Sequence, residues 1–461
     1  MKHRRWLILP CETRARELDA KLLLSVVAAG RGICSVVGSK KAVDLNLDRC
    51  PPGVYVGKSV TARSRHSLLL ARACGHRLAA WDEEGLVWAS RAVYWRTKVH
   101  GPTLNTPELL LAWGEENASA WREHPEYAGT PVAVSGNPRT DLLRAQLGGL
   151  YREEVACLRR ALGRFVLVNT NFSRVNHMQP TQNRHLRWLR ENRPDDPRGG
   201  FAAHKYRLYE AFLAMLPQLT SRMGEVRFVV RPHPSESLRV WETLARSLPN
   251  VRVHRESSIA PWLLAADAVV HNGCTTAVEA FILGCPALAY APVECDAYDH
   301  PLPNGVSVVC KRVDTLAAQL RACGDDREQF FACQRREPAR DALMHRNIAG
   351  FDAPQLASER ICDALSPLLA DEAPTRDPSR RGLSAVLLTG RRMSRRLEQH
   401  VPGSVNYGPY LATMFPDTSV EEVTGRVTLL ADCLGMEPPT VRTLQHNVFA
   451  IAPAGGTHGQ R

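Results

Sequence analysis

The residues best suited to chemistry stand in the second half of the chain. Val229-Val230 reads as the end of a strand, and Arg231-Pro232-His233-Pro234-Ser235-Glu236 follows at once. In open α/β sheets ligands collect at the carboxyl ends of strands. A histidine fixed there between prolines can donate to a phosphate oxygen and serve as general acid toward a departing nucleotide. Arg231 would balance charge; the plainer alternative is a histidine that caps a turn. Further on, His271-Asn272-Gly273-Cys274-Thr275-Thr276-Ala277-Val278-Glu279 ends a strand, turns on glycine and opens a helix. A helix N-terminus has free N–H groups and a partial positive charge, which suit a phosphate. Asn272, Gly273 and Cys274 would shape that turn, Thr275 and Thr276 add hydroxyl donors, and Glu279 reach ribose hydroxyls. Ordinary capping by threonine is the alternative. Asn169 and Asn171, after the strand Phe165 to Val168, are expected to line the same donor site or else to form an Asx turn.

A second group lies in the first half. Trp81-Asp82-Glu83-Glu84-Gly85 follows a strand. Adjacent carboxylates repel, which raises the pKa of at least one, and Glu83 or Glu84 could take the proton of an acceptor hydroxyl. A solvated acidic turn is the alternative. Glu12, Arg14, Glu17 and Lys21 follow the first strand, where an acceptor would lie, although some must be plain surface charges of a helix. Gly136-Asn137-Pro138-Arg139 is expected to shape the crossing between domains, with Arg139 near phosphate.

These residues need a frame that brings strand ends together. Strands read at 6–9, 34–37, 54–56 and 77–81 alternate with helical stretches at 15–29 and 64–74, where apolar residues recur at helical spacing. After Gly148-Gly149 a second series begins, with strands at 165–168, 226–230, 251–254, 268–271 and 287–290 and helices at 206–223 and 275–283. Such alternation predicts parallel sheets with helices on both faces. The expected fold is therefore α/β, two doubly wound Rossmann-like domains facing a cleft. Residues 1–150 would serve the acceptor and 151–371 the nucleotide donor. Residues 372–461 would form a linker and a basic, partly helical extension with a frayed end. Gln179 to Gly200 reads as an exposed loop.

The length of 461 residues suits two domains. No run of eighteen apolar residues predicts a membrane-spanning helix. Met1 to Pro10 lacks the length and cleavage site of a signal peptide, so a cytoplasmic location is expected. Thirteen cysteines without a Cys-x-x-Cys point to a reducing compartment. No metal and no cofactor are expected: zinc needs clustered ligands, and Asp195-Asp196 and Asp325-Asp326 sit in loop-like contexts. The net charge of +12 fits an anionic nucleotide donor or an anionic membrane face better than nucleic acid, for which no motif appears. Arg380 to Arg396 encloses Leu383, Val386, Leu387 and Leu388 as a basic amphipathic helix. It would lie on the inner membrane or pack on the body.

Glu83-Glu84-Gly85, His233-Pro234 and Thr275-Thr276 resemble, in that order, the motifs of bacterial sialyltransferases and related cytidine-donor transferases. The resemblance implies that Glu83 is the general base, His233 the general acid, and Thr275 and Thr276 the phosphate holders. The wider chain is similar to bacterial surface carbohydrate biosynthesis proteins. That likeness rests on the run from Leu9 to Leu22, Trp81-Asp82-Glu83-Glu84-Gly85, Gly136-Asn137-Pro138-Arg139, Asn169-Thr170-Asn171-Phe172 and the two loops above. The His-Pro loop is also similar to those of Kdo transferases and teichoic acid glycerophosphotransferases. The implied protein is a metal-independent glycosyltransferase of the GT-B architecture. It would carry a sugar from a CMP-, CDP- or UDP-linked donor to a carbohydrate or lipid-linked acceptor at the cytoplasmic face of the inner membrane. Rival readings are a nucleotide-sugar 2-epimerase of the same fold, a CDP-glycerol glycerophosphotransferase and a non-catalytic assembly factor.

Overall fold

The computed structural model describes residues 5–190, 197–254, 258–370, 378–404 and 406–455. They fall into two compact units, one made of 5–86, 91–150 and 345–455, the other of 87–90 and 151–344.

The first unit opens with six parallel strands: β1 (Arg5–Cys11), β2 (Ile33–Ser39), β3 (Val54–Gly57), β4 (Arg77–Ala80), β5 (Leu109–Ala112) and β6 (Val132–Val134), in the order β2-β1-β3-β4-β5-β6. Nearly every position of β1 to β4 is buried, the mark of a parallel sheet covered on both faces. Among the connections are α1 (Arg14–Gly30), α2 (Lys40–Leu45) and α3 (Ala62–Ala73). Strand order reverses between β1 and β3. There successive connections leave on opposite sides and open a crevice at the carboxyl edge.

The second unit holds β7 (Phe165–Asn169), β8 (Arg227–Arg231), β9 (Val251–Val253), β10 (Ala268–His271), β11 (Ala287–Tyr290) and β12 (Val308–Cys310), parallel in the order β12-β11-β10-β7-β8-β9. Here the reversal lies between β7 and β10. Successive side chains alternate across the sheet. Val166, Val168, Val230 and Val270 join one core with Phe212, Met215 and Leu219 of α4 (Pro197–Arg222). Phe165, Leu167, Val229 and Val269 join the other, which Ala280 of α5 (Thr276–Leu283) helps to build. The stretch expected to be a loop at 179–200 contains a helix at Arg184–Arg190 and the start of α4; Asp195-Asp196 lies outside the described residues.

The expected division at 371 is corrected. From His345 the chain packs with the first unit. Helix α6 (Ala357–Ala370) lies on α1, and Asp141 caps it, its carboxylate accepting 2.8 Å bonds from the N–H groups of Ala357 and Ser358. Of the expected linker Glu372–Arg381, residues 372–377 lie outside the described residues and 378–381 begin α7 (Pro378–Glu398), which packs on α2 and α3. Helix α8 (Val420–Leu434) returns to α1. The tail then forms a hairpin, β13 (Thr440–Gln445) and β14 (Val448–Ala452), with β14 antiparallel to β2. The reason is local: Val448 to Ile451 is an apolar run with a sheet edge to bury against, and Asn447 takes the turn's positive φ of 58°. Gly38 makes the close approach possible, since a Cβ there would stand 2.2 Å from the Asn447 carbonyl oxygen.

Among the described residues no helix is long and apolar enough to cross a membrane, and no group of three or more His, Cys, Asp or Glu could hold a metal. Asp326 is occupied as a helix cap, accepting from the Gln329 N–H at 2.9 Å.

Candidate functional site

In the second unit the reversal of strand order gathers the expected donor residues. Asn169 ends β7, flanked in register by His271 of β10 and Arg231 of β8. Its Nδ2 donates to Thr276 Oγ1 at 2.8 Å and lies 3.6 Å from Cys274 Sγ. Asn272 Nδ2 stands 3.5 Å from the carbonyl of Asn171, and its Oδ1 is buried with no hydrogen-bond partner among the described residues. Gly273 turns the chain at φ +79°, a conformation that favours glycine. Its N–H donates to His271 Nδ1 at 3.0 Å, and its carbonyl accepts from His300 Nδ1 at 2.6 Å. Ser307 Oγ donates to the Pro303 carbonyl and so accepts from His271 Nε2 at 2.8 Å. His271 is thereby fixed as the neutral Nε2–H tautomer, and burial pushes its pKa down to about 3.

Arg231 is 9% exposed; burial lowers its pKa to about 10, with Glu279 opposing. The loop beyond it is clasped by Glu236, a residue read only as the end of a motif. Its fully buried carboxylate accepts from the N–H of Phe172 at 2.7 Å and of His233 at 3.2 Å. It also accepts from the Thr170 hydroxyl at 3.0 Å and Trp241 Nε1 at 3.3 Å. Burial raises the Glu236 carboxyl, and these four donors work against that cost. His233 Nδ1 accepts from the Ser235 N–H at 3.3 Å and lies 2.8 Å from Ser235 Oγ, which leaves the proton of the neutral ring on Nε2.

Two expectations need correcting here. Thr276 is buried, and its hydroxyl oxygen is taken by Asn169; Cys274 is buried, with its thiol pushed up by that burial. Thr275, half-buried at the start of α5 without a side-chain capping bond, is the hydroxyl that remains available. Sequence reasoning also missed a pocket lined by Lys205, Asn272, Gly273, Tyr298 and His300. Lys205 is partly buried in α4, and burial lowers its amine to about 8. His300-Pro301, in the connection between β11 and β12, repeats the His-Pro pair of His233-Pro234, and that repeat was the available signal. A lysine in mid-helix gave none.

In the first unit, Glu12 follows β1, Lys58 follows β3, and the two form an ion pair where the strand order reverses. Lys21 is corrected from an acceptor contact to a core residue. It is 1% exposed and donates to the Pro10 carbonyl at 2.7 Å and Glu17 at 2.7 Å, with Glu83 at 2.9 Å. Glu17 in turn accepts from the N–H groups of Glu12 and Thr13. Arg14 is bound to Glu422 of α8. The acidic triplet divides its labour. Asp82 is buried, bonded by Tyr94 at 3.0 Å, and burial raises its pKa. Burial also works on Glu83, but Lys21 wins and holds its carboxyl below the ordinary value. Glu84 has a side chain 50% exposed; Lys98 and Arg16 overcome desolvation and hold it well below the usual range. The expected mutual repulsion is thus answered by cations at both glutamates. Arg139 donates to the Glu83 carbonyl at 3.3 Å and sits over Trp113 at 5.7 Å.

No protein family and no curated protein matches the sequence. Solved structures do. The chain superposes on MnaA of S. aureus bound to UDP with a TM-score of 0.50 at 13% identity, over 79% of this chain and 97% of that one. A UDP-N-acetylglucosamine 2-epimerase from Listeria monocytogenes gives 0.50 at 12%, over 81% and 99%. The fold is GT-B. The wall teichoic acid polymerase TagF is also similar, at a TM-score of 0.49 and 12% identity over 80% and 89%. At such identities the GT-B likeness speaks for architecture, and the chemistry must be argued from the side chains.

Proposed function

We propose that this GT-B protein binds a nucleotide-activated donor on its second unit and transfers the activated group to an acceptor hydroxyl during assembly of a bacterial surface carbohydrate. The observation that carries the reading is the convergence of Asn169, Asn272, Gly273 and the α5 N-terminus at the reversal between β7 and β10, with Arg231 alongside. Such a reversal is where open α/β sheets take ligands. The partial positive charge at the N-terminus of α5 and the Thr275 hydroxyl would receive the phosphate, and Arg231 would offset its charge. Negative charge grows on the leaving nucleotide, so fixed donors there would supply most of the stabilisation. His233, with Nε2 carrying the proton, would donate to that leaving group. On the first unit Glu84 is ionised and half-exposed, and Glu83 keeps the buried lysine neutralised.

Calorimetric titration with CMP, CDP, UDP and GDP tests this. One of them should bind, and Arg231→Ala or Thr275→Ala should weaken it at least tenfold, about 1.4 kcal/mol. Cytidine preference would support a CMP- or CDP-linked donor. UDP preference with interconversion of a free nucleotide sugar would replace the transferase by an epimerase. Absence of binding to all four would overturn the reading.

Lys205 adds a pH dependence. Its amine is cationic below about pH 8 in the free protein and neutral above. Anion affinity should therefore be flat up to that pH and fall roughly tenfold by pH 9. In Lys205→Met the profile should be flat throughout. An unchanged slope in the variant would remove Lys205 from the site.

A further inference from the structure

We propose that α7 is a membrane-docking helix, which lays its outer apolar stripe on a bilayer rich in anionic lipid. The inference does not depend on the nucleotide reading. α7 carries six arginines and one carboxylate, Glu398. Its inner face is anchored: Ser384 and Leu388 are buried, and Arg392 donates to Asp48 at 3.1 and 3.2 Å and to the Leu45 carbonyl at 2.9 Å. The helix is thus held against the first unit in a fixed rotation.

That rotation turns the other apolar residues outward. Val386 is 69% exposed, Met393 64% and Leu397 74%. Separations of seven and four residues put all three on one side of a helix, and Leu387 borders them at 53%. Few large apolar side chains are so exposed anywhere else among the described residues, so this is a concentrated patch. Soluble proteins keep such patches small unless something covers them.

The charge around the patch says what covers it. Arg391 and Arg396 are exposed on the same helix, and Glu398 is occupied by Ser394 at 2.7 Å and by Asn406. An apolar stripe rimmed by arginine, with a long side chain able to reach headgroups while the stripe enters the acyl boundary, matches an anionic lipid surface. A protein partner would need acidic residues opposite two isolated arginines, and a second copy of this chain would bring arginine against arginine.

Vesicle flotation of the full chain tests the proposal. Vesicles of phosphatidylcholine alone are compared with a phosphatidylcholine and phosphatidylglycerol mixture. Binding is expected to the mixture, weak binding to the neutral vesicles, and a steep fall with added salt. Arg391→Glu/Arg396→Glu should lower partitioning more than tenfold, since each charge near an anionic surface is worth roughly fivefold. Met393→Asp/Leu397→Asp should do the same at unchanged melting temperature, because neither residue contacts the core. Equal binding to both vesicles, binding to neither, or variants that bind as the parent does would overturn the proposal. So would a concentration-dependent dimer in sedimentation that Met393→Asp/Leu397→Asp abolishes, which would give the stripe to a second copy.

Discussion

Lys21→Met is expected to destabilise the first unit by about 3–5 kcal/mol, the range seen when one partner of a buried ion pair is removed. Lys21 is the only cation holding Glu17 and Glu83 within hydrogen-bonding distance among the described residues, and all three are buried. Methionine would fill the space but leave two carboxylates without their counterion. They would then take up protons, so the variant's deficit should shrink as pH falls from 8 to 5. In the parent the two carboxylates are shifted in opposite directions, burial raising Glu17 while Lys21 lowers Glu83. Against burial, Lys21 holds Glu83 below its ordinary value, so that stabilisation is present above about pH 4.5 and lost as acid protonates the group. Adding Glu17→Gln and Glu83→Gln to the methionine variant should recover most of the loss. Chemical denaturation followed at pH 5 and pH 8 separates the outcomes. A deficit that is the same at both pH values would mean that packing, and not charge, is what Lys21 supplies.

His233→Ala should lower the transfer rate by about 10²–10⁴-fold, the usual share of a general acid, while nucleotide affinity changes by no more than about threefold. The expectation rests on the loop. Glu236 fixes the His233 backbone, so removing the imidazole costs the two Ser235 contacts to its Nδ1 but leaves the Glu236 bonds that hold the loop. Pre-steady-state transfer assays with the identified donor, beside calorimetry, read the two quantities separately. A variant that loses affinity and rate together would make His233 a binding residue. A variant that loses neither would favour a protein that keeps the fold without the chemistry.

Much of both sheets was legible in the sequence because parallel strands buried on two faces are short apolar runs, as in Phe165-Val166-Leu167-Val168, closed by a polar residue at the carboxyl edge. The motif positions followed from that edge. What the sequence concealed was which side chains stay accessible at that edge. Thr276 and Thr275 are neighbours of one type, and only the structure shows that the first is buried against Asn169 and the second is not. Lys21 read as a helix-surface charge because its two carboxylates are supplied by a turn of the same helix and by a loop sixty residues away, which periodicity cannot reveal. The return of 345–455 to the first unit was hidden for the same reason: pairing of β14 with β2 is a contact between distant parts of the chain, with only Asn447 and a short apolar run to announce it.

That pairing sets an order of events during synthesis. β2 leaves the ribosome early, and the strand that covers its edge leaves only after the whole second unit has been made. Throughout that interval β2 offers unpaired backbone groups along an apolar edge, the kind of surface that recruits stray strands. Closure of that edge therefore waits on synthesis of the second unit.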